Sequence, residues 1–186
     1  MQKIISMLQK ALKEDFHEYM LQLGFQPEHR RGDVFPYRRI RDGSNDLVEV
    51  QFDKYERPRF VLNFGSVPAD GIIDAYGRFV PAKNVCIAQL VQHGRLHAFP
   101  YSIIWFKPNT LLGFRSDEVA VNKVISHFIF QAEQVERWFR AGISGPNLRI
   151  YSDQWNAPGV RKKSMQERGV WPPEDWTEED EKALRM

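Results

Sequence analysis

Hydrophobic spacing changes period twice along this chain, and that change most constrains what it can fold into. Near the start, Ile5, Leu8, Leu12, Phe16, Tyr19 and Leu23 recur at steps of three and four. Such steps line one face of a helix, so a helix is expected from about Gln2 to Leu23. Lys3, Lys10, Lys13, Glu14 and Gln22 fall mainly on its other faces. Gly24 suits a left-handed cap with Phe25 folded back, and Pro27 prevents continuation. From Val34 to Gly65 the period is two. Phe35, Tyr37 and Arg39 alternate with Pro36, Arg38 and Ile40. Val48, Val50 and Phe52 alternate with Glu49, Gln51 and Asp53, and Phe60, Leu62 and Phe64 with Val61, Asn63 and Gly65. Turn residues at Asp42–Asp46 and Lys54–Pro58 separate these runs. The pattern predicts an antiparallel meander with one buried and one wetter face. Helical spacing then returns in Val121, Val124, Ile125, Phe128, Ala132, Val135 and Phe139. Ser116 or Asp117 caps that helix and Gly142 ends it, near Ala141.

Between the meander and the second helix the signals are mixed. Asp70–Gly71, Tyr76–Gly77 and His93–Gly94 read as turns. Arg78–Ala82, Cys86–Val91 and Ser102–Phe106 read as strands kept short by nearby prolines. The expected fold class is α+β. An antiparallel sheet of about five to six strands is packed by two long helices. Residues 1–145 form that single domain. Residues 146–186 form an irregular C-terminal arm with a basic patch (Arg161, Lys162, Lys163, Arg168) and an acidic one (Glu174 to Glu181). A capping box at Thr177 and Asp180 starts a short helix, Thr177–Arg185.

Composition removes whole classes of function. Lys and Arg total 26 against 24 Asp and Glu, a net charge of +2, which argues against a general polyanion-coating protein. One cysteine excludes a disulfide framework or a multi-cysteine metal site within the chain. Cys86, among apolar neighbours, reads as a buried inert thiol. No secretory signal and no membrane-spanning run is visible, so a cytoplasmic protein with no membrane partner is expected. No phosphate loop, dinucleotide fingerprint or His-Glu-x-x-His is present. His17–Glu18 begins the last of these, but Leu21 stands where its second histidine belongs. Gly142–Ile143–Ser144–Gly145 resembles half of a nucleophile elbow in the wrong context, after a helix. His93 and His97 lack a third ligand, so no metal and no cofactor is expected.

A stretch without acids stands out. Residues 75–116 contain no Asp or Glu but hold Arg78, Lys83, Arg95, Lys107 and Arg115, with His93 and His97. Tyr76, Phe79, Phe99, Tyr101, Trp105, Phe106 and Phe114 are interleaved. Cations beside rings hold anionic partners, because Arg pairs with phosphate or carboxylate while rings stack or exclude water. A second basic cluster, Arg30, Arg31, Arg38, Arg39 and Arg41, lies on or beside the first hairpin.

The order of helix, Leu23–Gly24–Phe25, hairpin, Val48–Glu49–Val50–Gln51–Phe52–Asp53–Lys54 and Phe60–Val61–Leu62–Asn63–Phe64–Gly65 resembles a family of small bacterial domains of unknown function. Gln51 and Lys54 match the Gln-x-x-Lys step that closes its middle strand. The resemblance spans roughly residues 4–139. It implies an α+β fold and a bacterial cytoplasmic origin, and it brings no catalytic residues.

Two functional classes follow. The first is a non-enzymatic, immunity- or adaptor-like protein, which binds another protein through arm residues Trp155, Trp171 and Trp176. The second is a small-ligand or nucleic-acid-binding protein, or an enzyme, that holds an anionic group in the basic aromatic segment. Its contacts would be Arg78, Lys83, Arg95 and Lys107, with His93 or His97 carrying a proton. Nucleic acid is the less favoured partner, since a binding domain of that kind is usually more basic. A homodimer through the arm is a further expectation.

Overall fold

The computed structural model describes residues 2–100, 104–109 and 116–184. The chain opens with helix α1 (Gln2–Ala11), a π-helical turn (Leu12–Phe16) and helix α2 (His17–Gln22). The sequence predicts one uninterrupted helix here. The buried side chains explain the difference, for Leu8, Leu12, Phe16 and Met20 follow at successive four-residue steps. At 3.6 residues per turn each such step drifts about 40° around the axis. A wider turn absorbs the drift and keeps the stripe on the core. Gly24, at φ 85°, then reverses the chain, and the amide of Phe25 donates to the carbonyl of Met20.

Next come β1 (Gln26–Pro27), β2 (Val34–Arg41), β3 (Ser44–Phe52) and β4 (Phe60–Pro68). Short strands β5 (Gly71–Ile73) and β6 (Phe79–Pro81) make a separate ribbon. Strand β7 (Gln92–Leu96), helix α3 (Asp117–Ala141) and strand β8 (Leu148–Ser152) follow, then helices α4 (Val160–Glu167) and α5 (Glu178–Ala183). The main sheet has six strands in the order β1-β2-β3-β4-β7-β8, all antiparallel. The protein is therefore α+β. No described helix is long and apolar enough to cross a membrane.

One sheet face carries Tyr37, Val48, Val50, Phe52, Phe60, Leu62, Phe64 and Leu96 against α1, the π turn and α3. Phe128 is its centre, fully buried, with ring centroids 4.7 Å from Phe16 and 4.9 Å from both Phe60 and Phe106. Ser116 caps α3 by accepting from the Val119 amide, and Gly142 ends it in the left-handed region.

The opposite face is less wet than alternation suggests. The return through residues 72–90 lays Val85, Ile87 and Leu90 on Leu47 and Val67, a second small core. Glu49 and Asp53 are buried there because each carboxylate is answered. Arg31 reaches Glu49 at 2.7 Å, and Arg59 and Arg57 converge on Asp53.

Two local expectations are corrected. Cys86–Val91 is no strand, since a 3-10 turn occupies Ile87–Gln89. His93–Gly94 is no turn, for both lie within β7. Gly94 pairs with Phe64, and a Cβ there would lie 2.1 Å from the Phe64 ring. The glycine is needed for close approach of a ring rather than for reversing the chain. The expected strand Ser102–Phe106 falls partly outside the described residues, as do Tyr101, Phe114 and Arg115. Cys86 is half-buried rather than fully enclosed.

Residues after Gly145 begin as sheet. Leu148 to Ser152 pair with Leu96 to Gln92, and Asn147 exchanges hydrogen bonds with the His97 backbone. The rest docks on the β5–β6 ribbon and the loop behind it. The amides of Gly159 and Arg161 donate to the carbonyls of Asp74 and Ala75.

Candidate functional site

Where α1 and the π turn cross the β1–β2 side of the sheet, they leave a cavity of about 520 Å³. That size lies within the usual range of small-molecule sites. Its floor is apolar and comes from alternate strand positions. Phe35 and Tyr37 of β2 and Val50 and Phe52 of β3 all point to the helix side. Leu12 and Phe16 close it from the π turn.

The rim is different. Lys10, Lys13, His17 and Arg30 line the cavity, and no Asp or Glu does. Lys10 has a loose neighbour in Glu14 at 3.8 Å. Lys13 is exposed and has no ion-pair partner among the described residues. The Arg30 guanidinium lies 4.5 Å from the centroid of Phe35, and its Nε donates to the Gly32 carbonyl at 2.7 Å. Its neighbours in the basic cluster are taken. Arg31 pairs with Glu49, Arg38 with Glu28, and Arg39 and Arg41 with Asp46. Arg30 alone of the five meets no carboxylate among the described residues. The Tyr37 ring is buried beside His17, with centroids 6.0 Å apart. Burial raises its phenol pKa, so the group stays a proton donor at neutral pH. Its hydroxyl has no hydrogen-bond partner among the described residues. Apolar walls with cationic and hydroxyl donors at one end hold and orient a molecule.

The residues singled out in the sequence are distributed otherwise. His93, Arg95 and His97 point from β7 to the sheet face away from the long helices, beside Arg149 and Tyr151 of β8. Arg95 Nε donates to Asn63, which donates in turn to Gln51. The Tyr151 hydroxyl lies 3.5 Å from His97 Nε2, and the Tyr151 ring stacks on His93. Burial, then Arg149 and Arg95, lower the pKa of His97 and keep its ring neutral. Arg78 is elsewhere, in the β5–β6 turn, engaged by Asp74 and Asp180. Lys83 and Lys107 are exposed and join neither group. The six candidates thus form no common site. Trp171 and Trp176 pack on each other and on Tyr76, with centroids 4.5 Å, 6.4 Å and 6.1 Å apart. They hold the arm to its own body, while Trp155 stays half exposed.

Of the cavity residues, the sequence marked only Arg30 as part of a charged cluster. Lys13, His17 and Tyr37 look like ordinary flank and strand positions until the helix is laid over the sheet. No protein-family model, curated protein or solved structure matches this chain.

Proposed function

We propose that this chain is a non-enzymatic binding protein whose ligand occupies the cavity beside the π-helical turn. The observation that carries this reading is the preformed space of about 520 Å³ with an apolar floor. A cleft of this size that opens to the surface with an apolar lining has the dimensions and chemistry of a small-molecule site. Membership of the bacterial family that residues 4–139 resemble belongs to the same proposal. Titration with the neutral dye N-phenyl-1-naphthylamine tests it. One saturable site is expected, with fluorescence enhanced by the dry walls. Phe35→Trp, at a half-buried position of the lining, should narrow the space and weaken binding while the circular dichroism spectrum is kept. Absence of saturable binding, or binding indifferent to Phe35→Trp, counts against the site.

A second reading is favoured by the β7–β8 face, where Arg95, His93, His97 and Tyr151 gather. There an anionic group would meet Arg95, with the Tyr151 and His97 pair as proton donor and acceptor. Titration with inorganic phosphate, followed by the histidine ring resonances, tests it. A shift of His93 and His97 abolished by Arg95→Gln supports it, and no shift refutes it.

A further inference from the structure

We infer that the cavity is built for an amphiphilic monoanion, a carboxylate on an aliphatic or aromatic body, held head outward. The inference rests on the cavity being a ligand site, as proposed above, and adds the chemistry of its occupant. Three observations carry it. Besides the neutral phenol of Tyr37, every ionisable side chain of the lining is a nitrogen base: Lys10, Lys13, His17 and Arg30. In a chain of near-balanced charge, a rim without acids leaves a local positive field at the mouth. Arg30 is the one arginine of its cluster with no carboxylate partner among the described residues, and Lys13 has none either. These two are therefore uncommitted donors, and charge-assisted hydrogen bonds to carboxylate are the strong kind. The third observation is polarity across the cavity. Lys10, Lys13 and Arg30 are exposed at the mouth, while Pro27 and the half-buried Phe35 give the lining its accessible apolar surface. An apolar tail fits inward and the head stays among nitrogens. The π turn lies at this spot, and such turns are frequent at functional sites.

Decanoate and 1-decanol, below their aggregation limits, separate the parts of the claim. They share a tail and differ in the head. Decanoate should bind at least tenfold more tightly, and the advantage should shrink as salt is added. Lys13→Gln with Arg30→Gln should lower decanoate affinity about tenfold and leave decanol unchanged, because one charge-assisted hydrogen bond is worth roughly that factor. Lys13→Glu should weaken decanoate further. The chain alone should not float with phosphatidylglycerol vesicles, since the space takes one free molecule rather than a membrane surface. Equal affinity for acid and alcohol, or decanoate binding untouched by the paired substitution, overturns the anion specificity and leaves the cavity as a site. Flotation with the vesicles overturns the free-molecule occupant. Binding of neither compound, with no dye binding, overturns both.

Discussion

Arg39 lies against the rings of Phe25 and Phe139 and answers two buried carboxylates, Asp46 at 2.7 Å and Glu136 at 2.9 Å. It also donates to the Leu23 carbonyl, which ends the first helical segment. Removing one partner of a buried ion pair leaves the other charged and unsolvated. Arg39→Met should therefore lower stability by about 3–5 kcal/mol in urea unfolding, an effect of the size expected from truncating a large core side chain. His97 supplies a pH dependence. Its folded pKa is lowered by burial first and by Arg149 and Arg95 next, so protonation favours the unfolded chain. Its contribution is complete above the ordinary histidine value of about 6.5 and fades as pH falls toward the lowered folded value. Melting temperatures between neutral and mildly acidic pH should fall for the native chain and fall less for His97→Gln. In the sequence Arg39 shares its alternation with Tyr37 and belongs to a basic cluster on or beside the first hairpin. Its partners are the strand neighbour Asp46 and Glu136 on α3, and no local pattern announces that pairing.

At the level of elements, the first helix was legible from its stripe, yet its π turn was not. Ile5, Leu8, Leu12, Phe16, Tyr19 and Leu23 average a helical period, and the average conceals the run of fours at Leu8, Leu12, Phe16 and Met20. The second helix and its caps follow the sequence closely because the propensity, Ser116, Gly142 and the apolar stripe agree. β7 was hidden because Gly94 signals a turn unless Phe64 is known to lie across from it. Gly94→Ala should cost about 1–3 kcal/mol by overpacking against that ring, measured by thermal melting. Besides its β8 ladder and backbone hydrogen bonds to Asp74 and Ala75, the arm is fastened by rings and by the Arg78–Asp180 ion pair. The folded pKa of Asp180 is lowered by the Thr177 amide first, then by its hydroxyl and by Arg78. This contribution is present above the ordinary aspartate range and lost as pH falls through the lowered value. Trp171→Ala with Trp176→Ala should make residues after Gly159 sensitive to limited proteolysis at neutral pH. The core melting temperature should stay within a few degrees.

For the whole molecule, the large aromatic core tells which predictions are global. Phe128→Ala removes a ring in contact with three other phenylalanines and should cost about 3–5 kcal/mol, enough to leave a marginal domain largely unfolded in calorimetry. The α+β class and the antiparallel sheet were legible because period and turn chemistry point the same way. The candidate site was not, since its walls come from residues 9–17, 27–37 and 50–52, and only tertiary packing joins them.

The strand that closes the sheet reaches β7 only after the whole of α3. During synthesis the growing polypeptide would emerge with β7 already paired to β4 on one side and bare on the other. Leu96 and His97 would be left without the neighbours that Leu148 and Asn147 supply. Translation delivers residues at about 5–20 per second, so that raw edge stays open for seconds on the ribosome. A nascent chain stalled at Ala141 should therefore engage a holdase chaperone, whereas one released past Ser152 should not.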